Sequence, residues 1–281
     1  MGRWLRHTLS RTINADRDLL KYSTMNTIPK TDYDNKLHEV YHQARNLPEQ
    51  TTHLWMEYLS RYVSKDSPIT FLDLGSGTGR FSKVIADRFD CRVIGIEPSD
   101  KMRVKAEQCI HDGRIRFLKG DASHIPLSDQ SCTHAWMSMV IHHIPDLADC
   151  VKELKRVLLN EGLIFIRNAF KENLKHICMY QYFPGTLEID SQRLPAISQI
   201  RNNFEEQGLS FVSHEVIDQV IDNSFQDHID RLRQRGISTL ELLSDQEFEQ
   251  GLRNMENACP AIDPSKPIIE KIDLLVFKNT V

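Results

Sequence analysis

From Ile69 onward, short apolar runs and amphipathic stretches take turns along the chain, and this rhythm leaves few folds open. ITFLDLG, CRVIGIE, IRFLKGD, THAWMSMVIHHI and GLIFIRN read as five strands. Between them lie helical patterns: Phe81, Val84, Ile85 and Phe89 share one face, PSDKMRVKAEQCI follows the second strand, and Leu147, Val151, Leu154 and Leu158 form a single stripe. A strand that returns beside a parallel neighbour through a helix crosses over right-handed. LSFVSHEVI and IDLLVFKN supply a sixth and a seventh strand. The pattern therefore predicts an α/β fold with a Rossmann-like, doubly wound, seven-stranded and mostly parallel sheet.

The rhythm also sets the expected organisation. Residues 1–30 form a basic leader, 31–66 hold helices over the ligand end of the sheet, 67–170 form the core, and 171–281 carry the late strands. Two insertions interrupt that last part and predict a helical lid: the aromatic-rich 171–194 (CMYQYFPG) and a helical stretch at about 218–265. Ser244 and Glu247 make a capping box ahead of Phe248, Leu252 and Met255, and Gly208 ends a helix marked by Ile197, Ile200 and Phe204. The leader MGRWLRHTLSRTINA has three arginines and no acid, with Leu5, Leu9 and Ile13 at helical spacing. It reads either as residues upstream of a start at Met25 in a cytoplasmic protein, or as an organelle transit peptide over 1–24.

Totals exclude several classes. A net charge of −4 over 281 residues offers no global basic footprint, which argues against a nucleic-acid partner. Six cysteines are scattered without CxxC spacing or a His–Cys cluster, so free thiols in a reducing compartment and no metal site are expected. No run approaches the ~20 apolar residues of a membrane span.

FLDLGSGTGR, at 71–80, places glycines at 75, 77 and 79 directly behind the first strand. A dinucleotide loop needs a third small residue where this chain has Arg80, and a nucleotide P-loop needs a Lys-Ser/Thr pair that is absent. Asp73 ends the first strand, Glu97 the second, and Asp121 follows the third. Acids repel a pyrophosphate but suit a cationic ligand, and a carboxylate after the second strand suits a ribose diol. The set describes a ligand with an amino group, a ribose and an adenine.

FLDLGSGTGR, VIGIEPSDKM, FLKGDASHIPLSDQS, MSMVIHHIPD and LKRVLLNEGLIFI occur in this order over 69–168. Together they resemble the class I S-adenosylmethionine-dependent methyltransferases, closest to the small-molecule branch that includes quinone-biosynthesis enzymes. The resemblance implies S-adenosylmethionine as cofactor and 67–170 as the part that binds it. It implies that Asp73 and the loop Gly75, Ser76, Gly77 and Gly79 hold the methionine part, and Glu97 the ribose. Pro98 and Met102 would flank the adenine, Asp121 and the Ala122 backbone would read its edge, and Met139 would lie beside the methionine part. Tyr41 and Arg45 in YHQARNLPEQ match the family's pre-core element, with Arg-Asn where the family usually has Arg-Pro. Thr133 stands where the family commonly has Asp.

Methyl transfer needs alignment, and only some acceptors need a base. His142 and His143, in the loop after the fourth strand, are the candidate general bases. Of Trp136, Met137 and Ser138, two are expected in strand packing. Trp55, Tyr180, Tyr182 and Phe183 either line an apolar acceptor pocket or fix the lid to the sheet. Arg231, Arg233 and Arg235 form either a solvated basic face or a site for an acidic substrate. The expected activity is methyl transfer to O, N or C of a small-molecule acceptor by a monomer or homodimer. A tRNA or protein methyltransferase, and a non-catalytic scaffold with the same fold, are the alternatives.

Overall fold

A computed structural model describes residues 47–64 and 66–280. Helix α1 (Glu49–Ser60) precedes β1 (Thr70–Leu74), and α2 (Arg80–Phe89), β2 (Arg92–Ile96), α3 (Asp100–Cys109) and β3 (Ile115–Leu118) follow. The chain then crosses to β4 (Cys132–Ser138), α4 (Leu147–Val157) and β5 (Leu158–Asn168). After them come α5 (Pro184–Arg193), α6 (Ile197–Glu206), β6 (Leu209–Asp222), α7 (Phe225–Arg233), α8 (Asp245–Ala258) and β7 (Ile268–Asn279). The seven strands run in the order β3-β2-β1-β4-β5-β7-β6; β7 alone is antiparallel to its neighbours β5 and β6. The expected doubly wound sheet is what forms.

Alternating side chains send two cores to opposite faces. Phe71, Trp136, Phe165 and Val276 point to one face, with α1, α2 and the lid; Leu72, Met137, Ile164 and Leu275 point to the other, with α4 and α6. Strands buried on both sides read as continuous apolar runs, which is why ITFLDLG and GLIFIRN are legible. The strand order reverses between β1 and β4, so β1 leads to one side and β4 to the other. That switch point, at the carboxyl ends of the strands, is where an open α/β sheet leaves room for a ligand.

Two expectations change. The strand read as THAWMSMVIHHI ends at Ser138, and Ile141–His143 form one 3₁₀ turn. Met139 has φ +56°, so its backbone leaves the strand path there. The helical stretch read from about 218 begins later, because β6 continues to Asp222. Val216, Ile217, Val220 and Ile221 recur at helical spacing, yet Ile217, Gln219 and Ile221 are the inward residues of a strand, and the polar Gln219 breaks the apolar alternation.

The lid is assembled from both insertions. In 171–194, two 3₁₀ turns lead into α5, and α8 lies beside them through Phe183. The box on Ser244 and Glu247 does cap α8, with Ser244 Oγ accepting from the Glu247 N–H. Gly251 of α8 faces the Phe183 ring so closely that a Cβ would stand 2.0 Å from Cδ1. Phe183 is 1% exposed and cannot swing out. Gly251→Ala is therefore expected to lose about 1–3 kcal/mol in chemical denaturation despite alanine's better helix propensity; an unchanged midpoint would show that this contact does not hold the lid.

Candidate active site

The site is built at the carboxyl ends of adjacent strands. Asp73 of β1 is opposite Gly95 of β2 and Trp136 of β4. Gly75, Gly77 and Gly79 have φ of +74°, +57° and +77°, a region that strains residues with a Cβ. At two of them the space is also filled by the protein: a Cβ on Gly75 would stand 2.4 Å from Val140 Cγ2, and one on Gly79 2.6 Å from Phe117 Cζ. The glycine spacing thus answers to backbone path and packing as well as to any ligand. Gly79 ends the turn as the N-cap of α2.

Glu97, buried at the end of β2, accepts the Gly77 N–H at 2.9 Å and the Ser99 N–H at 3.0 Å. Its carboxylate is thereby aimed back at the glycine turn. Asp73 accepts Ser82 Oγ–H at 2.5 Å. Burial raises the Asp73 carboxyl to about 7, with the nearby Glu97 charge adding to the rise against Ser82 and Arg80. Ser76 Oγ is buried without a hydrogen-bond partner among the described residues, on the wall of a cleft of about 450 Å³ that Asp73, Gly75, Gly79 and Thr78 also line. This volume lies within the range of small-molecule sites, and an unmatched hydroxyl beside a raised carboxyl fits a ligand with polar and cationic groups.

The other expected residues fall as follows. Met102 is buried under α3, whereas Pro98 and Asp121 are exposed and Ala122 is half-buried. Asp121 Oδ1 accepts the Ser123 and His124 N–H groups, which fixes the turn after β3. Glu97 and Asp121 thus rim the strand ends beside the cleft, not its lining. Thr133 spans to β1 instead, with its hydroxyl bonded to both the N–H and the C=O of Thr70. Tyr41 and Arg45 lie outside the described residues.

A second cavity, roofed by the lid, adjoins the cleft: Leu47 and Arg80 line both. Met139 and His142 stand on its wall; His143 does not. His142 Nδ1 is 3.1 Å from Asn168 Oδ1. Trp136 and Met137 are core, while Ser138 accepts from Arg167. Of the aromatics, only Tyr180 reaches this cavity, with Trp55 and Phe183 in the core. The arginine run separates: Arg231 lines the cavity, Arg233 pairs with Asp230 and Glu256, and Arg235 donates to the Leu240 carbonyl and Asp245. Sequence reading missed Asp190, Arg193, Gln219, His228 and Glu270, which line the same space. The i,i+3 pair His228 and Arg231 on one helix face was the available signal. Among the described residues, no cluster of three or more His, Cys, Asp or Glu could hold a metal ion, and no helix is long and apolar enough to cross a membrane.

Residues 72–166, which run from β1 to β5, match the methyltransferase domain family. This part of the chain is a methyltransferase domain. A demethylmenaquinone methyltransferase of Chlamydia felis is 29% identical over 125 residues, covering 44% of this chain and 54% of that protein. The chain spans about half the length of the curated relatives it matches. A structure described as that of a methyltransferase from an antibiotic biosynthesis pathway of Anabaena variabilis shares the fold at TM-score 0.66 and 19% identity, over 83% of this chain and 99% of that one. Phosphoethanolamine N-methyltransferase 2 of Haemonchus contortus, solved with phosphomonomethylethanolamine and S-adenosylhomocysteine, superposes at TM-score 0.59 and 18% identity over 90% of this chain and 62% of that one.

The raised Asp73 carboxyl has a stability consequence with a definite sign. Its folded value, about 7, lies above the ordinary 3.8, so the folded state binds the proton more tightly. Its contribution is fullest below about pH 4 and is lost as pH rises to about 7, on the order of 1.4 kcal/mol per pH unit at most. Asp73→Asn is expected to flatten this slope and gain on the parent protein between pH 5 and 8 in denaturant melts of the ligand-free protein. Parallel profiles would refute a raised Asp73.

Proposed function

We propose that the chain transfers a methyl group from S-adenosylmethionine to O, N or C of a small-molecule acceptor held under the lid. The observation that carries this reading is the adjacency of the two spaces: the glycine-lined cleft and the roofed cavity share Leu47 and Arg80 as a common wall. Asp73 and the Gly75–Gly79 turn, with the open hydroxyl of Ser76, take the methionine part. Glu97, held by two N–H groups, takes the ribose. Pro98, Met102, Asp121 and Ala122 are at the adenine end, and Met139, on the wall of the roofed cavity, is beside the methionine part.

Bound S-adenosylmethionine supplies an electrophilic methyl on a sulfonium, open to in-line displacement. The chain's own contribution is to orient the acceptor and exclude water, as a lid packed through Phe183 and Tyr180 does. Of the two loop histidines, His142 and not His143 stands on the cavity wall. With Asn168 Oδ1 3.1 Å from its Nδ1, His142 is the candidate general base for an acceptor hydroxyl or amine. Six unpaired thiols, among them the buried Cys91, Cys132 and Cys150, support a reducing compartment such as the cytoplasm.

Calorimetric titration with S-adenosylmethionine and S-adenosylhomocysteine tests the cofactor assignment. Intact protein is expected to bind with a Kd in the micromolar range. Gly77→Arg, which needs a positive φ and fills the turn, and Glu97→Ala are expected to abolish measurable binding. Asp121→Ala, at an exposed rim position, is expected to weaken it by less than about tenfold. Folded intact protein that binds neither compound would end this reading in favour of a scaffold.

A further inference from the structure

The roofed cavity has more polar groups than a neutral acceptor needs, and two of them are buried with hydrogen bonds unmade. Arg193, in the last turn of α5, donates from Nη2 to Ser238 Oγ at 2.8 Å. Among the described residues its Nε and Nη1 have no hydrogen-bond partner. Asp190 Oδ1 stands 3.6 Å from Nε, beyond hydrogen-bond range. That carboxylate is already committed, accepting Tyr180 Oη–H at 2.7 Å and Thr239 Oγ1–H at 2.9 Å.

The second group is His228 of α7, which is 1% exposed. Its Nδ1 lies 2.6 Å from Asp222 Oδ2, and Arg231 Nε donates to the same carboxylate at 2.9 Å. Burial pushes the Asp222 carboxyl up, but the bonds from His228 and Arg231 outweigh it, so Asp222 stays ionised and takes the Nδ1–H. In the neutral ring His228 Nε2 then carries the lone pair, and among the described residues it too is buried without a partner, while Arg231 Nη2 stands 3.0 Å from Nδ1. Both Arg193 and His228 line the cavity.

Charge points the same way. Four guanidiniums, of Arg80, Arg167, Arg193 and Arg231, line the space among the described residues, against the carboxylates of Asp190 and Glu270. Burial holds Glu270 toward its neutral form, partly opposed by the Arg231 charge. An unmade hydrogen bond on a buried charged group is costly, and a ligand that completes it recovers that cost. A carboxylate matches the two open N–H groups of Arg193 in charge and in number, as a neutral carbonyl or hydroxyl does not.

On the methyltransferase reading above, we propose that the acceptor is a small organic acid that also bears a hydroxyl or amine. Its carboxylate completes the hydrogen bonds of Arg193, and its O–H or N–H donates to His228 Nε2. These two residues, supplied by the two separate lid insertions, set the acceptor class.

The test uses the full chain, and binding of S-adenosylhomocysteine is measured first and separately. Failure there, in folded protein, counts against the methyltransferase reading; the acid titrations are run with and without that compound, so the cavity is judged either way. The probes are 4-hydroxybenzoate, salicylate and 4-aminobenzoate, each against its neutral amide. At least one acid is expected to bind about tenfold or more tightly than its amide. Arg193→Met should remove that preference while leaving S-adenosylhomocysteine affinity within about twofold. Should that variant not fold, Arg193→Lys keeps a charge without the planar fork and should lose part of the preference. His228→Asn should weaken 4-hydroxybenzoate but not benzoate, which has no donor for Nε2. Amides that bind as well as their acids, or the absence of any acid binding, would overturn the proposal.

Discussion

A guanidinium buried inside the carboxyl end of the sheet holds the working parts of this molecule in register. Arg167 of β5 is 3% exposed and donates to Ser138 of β4 at 3.0 Å and to Gln219 of β6 at 2.7 Å. Gln219 accepts Trp55 Nε1–H of α1 on the same oxygen. The Arg167 guanidinium also lies 4.9 Å from the Trp55 ring and 5.5 Å from that of Phe81 in α2. One side chain therefore ties three strands and two helices at the floor of both spaces. A buried charge is tolerated only when such partners surround it, so the floor is a single cooperative unit.

The same economy governs the loops above that floor. Val140 occupies the place a side chain on Gly75 would take, which interlocks the glycine turn after β1 with the loop after β4. Met139, at φ +56°, donates its N–H to the Arg167 carbonyl and so ties the second loop back to β5. The two loops are coupled through close packing, a rigid arrangement that would suit the proposed alignment of cofactor and acceptor.

The parallel half was legible because its information is local. ITFLDLG, CRVIGIE and GLIFIRN announce buried strands by composition, and Gly75, Gly77 and Gly79 announce a turn by conformation. Glu97 and Asp73 could be read because they end strands beside that turn. The acceptor half was not legible, since its residues meet only in space: Arg193, His228 and Gln219 come from three elements and none sits in a motif. Gln219 also hid the end of β6: LSFVSHEVI reads as a strand, but a polar residue on its buried side lets the chain from about 218 read as helical. Tyr180 was half seen, as an aromatic at the lid; its hydroxyl bond to Asp190 depends on a helix whose placement no periodicity reveals.

The buried joint of Asp190 with Tyr180 and Thr239 has an evolutionary corollary. Asp190 and Tyr180 descend from the insertion before α6, and Thr239 from the one after β6. A foreign segment in place of the second insertion would leave Asp190 without Thr239 and Arg193 without Ser238. A change in one insertion that alters this joint therefore calls for a matching change in the other.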